Sequence, residues 1–190
     1  MDEEREIPII LVVGASEAGK TTLMEKIVQR LKKGGVRVGT IKHDLHGFEM
    51  DRPGKDSWRH KKAGAHVSII SSPKGIGMVM DVDHDHSPLE LRCLFNNFNN
   101  VDIILAEGYK REPIPKIEVI RREVQEKPFC GEDENLIAVV SDHPLNIQVP
   151  RFSLDEVEGI TEFIVDRFLS GEKSAQFDGH KTHSREAKGI

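Results

Sequence analysis

A chain of 190 residues, 37% apolar and 31% charged, holds enough apolar material for one sizeable core and has the composition of a globular domain. A net charge of -5 argues against a broad nucleic-acid-binding surface, leaving only a local basic patch at Arg59 to Lys62. The longest apolar runs, such as Ile9 to Val13, fall far short of a membrane span, and the opening Asp2-Glu3-Glu4 is not a signal-peptide n-region, so the expected compartment is the cytoplasm. Cys93 and Cys130 lack the paired spacing of a zinc ribbon and are read as reduced thiols, Cys93 in the core.

Pro8 leads into Ile9 to Val13, a β-branched and leucine run that suits a strand buried on both faces. Lys20 to Lys33 follows as a helix with Leu23, Ile27 and Leu31 on one face, closed by Gly34-Gly35. Val36 to Ile41 completes a βαβ unit, which predicts a parallel strand pair and a doubly wound, mainly parallel α/β sheet. A polar stretch, Lys42 to Ser57, leads to a short helix ending at Lys62. Two strands, His66 to Ser71 and Ile76 to Met80, flank Ser-Pro-Lys-Gly and read as a β-hairpin added antiparallel to that core.

Pro88 to Phe98 carries Leu91, Leu94, Phe95 and Phe98 at helical spacing and predicts an amphipathic helix. Strands are expected at Val101 to Ala106, Lys116 to Ile120 and Leu136 to Val140. Ser153-x-x-Glu156 reads as a capping box opening a last helix with Val157, Ile160, Ile164 and Phe168 inward. One domain over residues 1–170 and a flexible tail over 171–190 complete the expectation; His180 and His183 in the tail receive no role.

Gly14-Ala-Ser-Glu-Ala-Gly19-Lys20-Thr21 matches G-x-x-x-x-G-K-[ST] at every fixed position, between a buried strand and a helix. The glycines let successive backbone N–H groups face a phosphate, and the helix adds its positive end. The nucleotide is therefore assigned to Gly14, Ala15, Ser16, Glu17, Ala18, Gly19, Lys20, Thr21 and Thr22, with Lys20 bridging β- and γ-phosphate oxygens and Thr21 on Mg2+. The fold this motif implies is a P-loop NTPase fold.

Asp102-Ile-Ile-Leu-Ala-Glu107 resembles a Walker B strand with glutamate at its end, so Glu107 is placed on the magnesium shell or on the attacking water. No Asn/Thr-Lys-x-Asp segment is present to read guanine. Ser141-Asp142 occupies the corresponding place, with Asp142 accepting from guanine N1 and N2, and the sequence leaves ATP open.

One further constellation narrows the reading. Gly39-Thr-Ile-Lys-His43-Asp44, Asp51-x-x-Gly-Lys55-Asp56-Ser-Trp-Arg59-His60, Glu107-Gly-Tyr-Lys110 and Pro115-Lys116-Ile-Glu118-Val together resemble the MobB family of molybdopterin-guanine dinucleotide biosynthesis adaptor proteins, over roughly Ile9 to Leu169. The resemblance implies a GTP-binding adaptor of the SIMIBI class of P-loop NTPases, with Mg2+, weak GTPase activity and a homodimer. The implied partner is the MobA-like synthase that joins GMP to molybdopterin. Lys55 and Arg59 become candidates for the pterin phosphate or a γ-phosphate, and Asp44 or Asp51 for a place near the metal. Two departures are Glu17-Ala18 in the P-loop, where relatives often carry small residues, and Leu45 and Gly47 around His46, where they often carry histidine and aspartate.

A small-molecule kinase, with Asp44 or Asp51 activating an acceptor, and a metallochaperone GTPase are the alternatives on this fold. The latter would draw on Asp81-Val-Asp83-His84-Asp85-His86, which strand alternation is expected to split across two faces, leaving a solvated acidic turn.

Overall fold

The computed structural model describes residues 6–96, 101–169, 171, 174 and 177. It divides into two units, one of residues up to His43 together with those from Ser87 onward, the other Asp44–His86. Phe98, His180 and His183 lie outside the described residues.

The first unit is built on β1 (Ile9–Val13), α1 (Lys20–Lys33) and β2 (Val38–Lys42), continued by α3 (Pro88–Asn96), β5 (Ile103–Glu107), β6 (Lys116–Ile120), β7 (Leu136–Ser141), β8 (Arg151–Phe152) and α4 (Val157–Phe168). The second holds α2 (Asp56–Lys62), β3 (Val67–Ser72) and β4 (Gly75–Met80).

Six strands make one parallel sheet in the order β2-β5-β1-β6-β7-β8. The doubly wound prediction holds, with one correction: β1 and β2 are parallel but not neighbours, because β5 inserts between them. The insertion puts Glu107 level with Val12 of β1 on one side and with Lys42 of β2 on the other. Long-range pairing of this kind has no local signal.

β1 is fully buried because both faces are covered. Ile10 and Val12 enter a core with Leu23, Ile27 and Leu31 of α1 and Ile160, Ile164 and Val165 of α4. Ile9, Leu11 and Val13 enter a second core against Leu91 and Phe95 of α3. At the end of β1, Gly14 has φ +139, and a Cβ there would lie 2.3 Å from the Val119 carbonyl oxygen, so no other residue fits without moving β6.

Helix ends differ from the sequence reading in an instructive way. At Ser153, the backbone N–H donates to the Glu156 carboxylate (2.5 Å), but α4 starts only at Val157, so Ser153 is not its N-cap. The reciprocal pair sits instead at α3: Ser87 N–H donates to Glu90 (2.8 Å), and Glu90 N–H donates to the Ser87 hydroxyl (3.3 Å), ahead of Pro88 at the first helical position.

Cys93 is exposed, contrary to its expected core place; Cys130 is the buried thiol. Burial, and then Glu118, push the Cys130 pKa up, which keeps it protonated.

Phe177, in the segment read as a tail, is 3% exposed and belongs to the α1/α4 core. Its ring occupies the space where a Cβ of Gly34 would stand. Phe177→Ala is expected to cost about 3–5 kcal/mol, seen as a lower urea midpoint with unchanged slope; a shift within error would show that this ring contributes nothing to the core.

In the second unit, β3 and β4 pair antiparallel as a two-stranded sheet of their own rather than as an edge of the parallel sheet. Val67, Ile69, Ile76, Met78 and Met80 share one face of the hairpin, and all five are exposed. The short helix carries Arg59, His60, Lys61 and Lys62 in its last turn, the basic patch of the sequence.

Candidate functional site

The phosphate loop joins β1 to α1 at the carboxyl end of the sheet, where ligands bind in open α/β folds. Between Gly14 and Gly19, Glu17 takes φ 61 and Gly19 φ 93. A non-glycine residue in the left-handed region is strained. α1 carries no acid in its first turn, so its positive end is uncompensated by the helix itself.

The loop is tied down from behind. Ala15 N–H donates to Gln125 Oε1 (3.0 Å), and Gln125 Nε2 in turn donates to Glu118 (2.5 Å) and to the Lys127 carbonyl (2.9 Å). Glu118 also accepts from Phe129 N–H (2.7 Å) and Cys130 N–H (3.0 Å), and its side chain is fully buried. Its neighbour on β6, Lys116, is equally buried; the ammonium donates to the Lys110 and Glu112 carbonyls (2.9 Å each) and pairs with Asp133. The family-like run at β6 therefore anchors two loops, one behind the phosphate loop and one after Glu107.

In front of the loop lies a cleft of about 640 Å³. Ser16, Glu17, Gly19, Lys20, Thr21 and Thr22 line it, as the sequence assigned; Gly14, Ala15 and Ala18 do not. Those three act from behind the surface, Gly14 by its contact with β6, Ala15 through Gln125, and Ala18 as part of the core.

The charged centre of the cleft is a chain of contacts. Thr21 Oγ1 donates to Glu107 Oε2 (2.9 Å), and Lys42 Nζ donates to Glu107 Oε1 (2.5 Å). Lys20 Nζ donates to the Ala15 carbonyl (2.6 Å). Burial lowers the Lys20 pKa, Glu107 opposes that, and Lys42 adds to it. Glu107 itself is 5% exposed, so its charge is held by these partners rather than by water. A hydroxyl and a carboxylate in contact are the hard oxygen donors that magnesium takes, so Thr21 and Glu107 fit the ion.

Sequence reasoning missed Lys42, which enters through the β2–β5 register, and Arg121, which follows β6 and lines the cleft beside Gly19. It also missed Leu154 and Asp155, which line it as well. Asp142 does not line this cleft: its Oδ1 accepts from Arg122 N–H (3.0 Å) and contacts His143 Nδ1 (2.8 Å). Those bonds, His143 first, hold its carboxyl below the usual range.

Asp44, Lys55 and Arg59 belong to the second unit. Asp44 accepts from His46 N–H (2.9 Å), Lys55 is the residue before α2, and Arg59 approaches Asp56 at 3.8 Å on an exposed helix face. Trp58 lies under Lys62, 5.5 Å from its ammonium.

The P-loop strand, the Glu107 strand and the β6 run all lie within residues 9–142, the stretch that one family model matches. The model of that family, described as molybdopterin guanine dinucleotide synthesis protein B (MobB), matches residues 9–142. The chain belongs to the MobB family. The molybdopterin-guanine dinucleotide biosynthesis adapter protein of Escherichia coli is 37% identical over 84% of this chain and 93% of its own length. The probable adapter of Bacillus subtilis is 31% identical over 90% of this chain and 98% of its own. The crystal structure of Bacillus subtilis MobB superposes with a TM-score of 0.70 at 27% identity, covering 87% of this chain and all of that one.

Within the phosphate loop, Glu17 is a residue with a physical consequence of its own. Glu17→Gly removes both a left-handed non-glycine residue and a negative charge lining the phosphate cleft. GTP is expected to bind about two- to fivefold more tightly, the gain shrinking as salt screens the charge. Equal affinities at low and high salt would show that the carboxylate does not act on the nucleotide.

Proposed function

We propose that this chain is a GTP-binding adaptor that assists the attachment of GMP to molybdopterin, in the cytoplasm, by docking on the MobA-like enzyme that forms the dinucleotide. Family membership and the names of its relatives support the pathway. The observation that carries the nucleotide part is the contact of Thr21 and Lys42 with one buried carboxylate, Glu107, at the mouth of the P-loop.

Three chain groups have distinct tasks in this reading. Lys20 leaves the Ala15 carbonyl for the β- and γ-phosphate oxygens, which are better acceptors than a neutral carbonyl. Thr21 and Glu107 would hold Mg2+, which would supply neutralisation of phosphate charge. Lys42 lines the same cleft and would be free to meet the terminal phosphate once Glu107 served the ion. A carboxylate engaged by the ion would be a weak general base, which supports slow hydrolysis and an adaptor role. Arg121, Leu154 and Asp155 also line this cleft, and Asp155 is the candidate carboxylate for a guanine edge in this reading.

The exposed apolar face of the hairpin supports a homodimer, since a two-stranded sheet is marginal alone and five apolar side chains gain by being covered. Lys55 and Arg59 are kept as the second unit's candidates for pterin phosphate, with Asp44 as its candidate near the metal.

Reconstituted dinucleotide synthesis tests the adaptor reading. Adding the chain with GTP and magnesium should raise product formation by the MobA-like enzyme, and GDP should support less. No change at saturating chain would overturn the adaptor role. Stoichiometric transfer of phosphate from the nucleotide to molybdopterin would replace it by a kinase.

A further inference from the structure

Past the hairpin the chain reads Asp81-Val-Asp83-His84-Asp85-His86. Alternation along a strand would send these acids and histidines to opposite faces, but β4 ends at Met80. Asp81 N–H makes the last rung, to the His66 carbonyl (2.9 Å), and Asp83 and His84 then form a bend. The bend overturns the expected separation: one ligand atom each of Asp83, His84 and His86 falls within 4.8 Å of the others. The two imidazoles meet edge to face, with ring centroids 3.9 Å apart. Asp83 Oδ1 lies 2.7 Å from His84 Nδ1. Asp81 is not part of this set, because its carboxylate pairs with Lys61 (2.6 Å).

We propose that Asp83, His84 and His86 form a binding site for a divalent transition ion of the zinc class, independent of the nucleotide cleft. Two imidazole nitrogens and one carboxylate are the donor set of open, three-ligand zinc sites, with the fourth position left to water. Imidazole selects zinc, nickel or copper over magnesium, which prefers oxygen, so the ion used at the P-loop does not compete here. Tetrahedral bonds of roughly 2.0–2.1 Å put ligand atoms about 3.3 Å apart. Closing from 4.8 Å is within reach of side-chain rotation, since Asp83 is 90% exposed and His84 52%.

Zinc titration of the full chain against a chromophoric chelator tests the site, with three variants alongside. The double variant H84A/H86A should lose one equivalent of bound zinc, and Asp83→Asn should weaken that equivalent about tenfold. A tail variant, H180A/H183A, should keep it, and excess magnesium should not displace it. Far-UV circular dichroism and the thermal midpoint of Asp83→Asn should be unchanged, since Asp83 is exposed. No zinc bound by the natural chain, or H84A/H86A retaining its full stoichiometry and affinity, would overturn the proposal.

Discussion

Lys20→Ala is expected to weaken GTP binding by about 100-fold or more, the loss of two charge-assisted hydrogen bonds to phosphate. The geometry makes the change selective. Lys20 lines the cleft and donates to the Ala15 carbonyl of its own loop, and the buried Glu107 that feels its charge keeps Thr21 and Lys42 as direct partners when it is removed. Stability should therefore change little while affinity collapses, a combination that a misfolded variant cannot give. Lys20→Arg keeps the charge but not the point-like ammonium, and should recover only part of the affinity. Natural-like affinity in the alanine variant, measured by calorimetry, would remove the P-loop from the account.

Glu118→Ala is expected to cost about 3–5 kcal/mol of stability. Three donors converge on this carboxylate, the Gln125 amide and the backbone N–H groups of Phe129 and Cys130. All lose their acceptor, two of them, the Gln125 amide and Cys130 N–H, in buried bonds. Gln125 is also the acceptor for Ala15 N–H, so the phosphate loop should loosen with it. Equilibrium unfolding and GTP titration of the same variant should both deteriorate, and Glu118→Gln, which keeps one acceptor, should lie between. A variant with the natural unfolding midpoint would show that the three donors find other partners.

Much of this was legible in the sequence because its causes are local. The glycine spacing, the buried run before it and the apolar stripe of α1 lie within 25 residues of one another, and they specify strand, loop and helix together. The end of the Asp102–Glu107 run was legible for the same reason. What could not be read depends on strand order. Lys42 is merely polar in sequence, and becomes a partner of Glu107 only because β5 inserts between β1 and β2. Arg121 and Asp155 reach the phosphate cleft only once β6 and the start of α4 stand beside β1.

Two local signals were also misjudged. The Ser-x-x-Glu pattern occurs at both Ser87 and Ser153, and Pro88 at the first helical position is what marks the former as the reciprocal cap. Alternation was extended past Met80, although the acidic, histidine-rich sequence beyond it bends away from the strand. Glu118 and Lys116 were read as features of a family-like run, while their burial shows what they do mechanically.

The central claim is that the cleft is a guanine-nucleotide site served by Lys20, Thr21 and Glu107. Calorimetric titration of the chain with GTP and with ATP, each in magnesium, tests it most directly. The account predicts saturable GTP binding at one site per chain, clearly tighter than ATP and lost on chelating magnesium. ATP binding as tightly as GTP, or neither nucleotide binding, would contradict it.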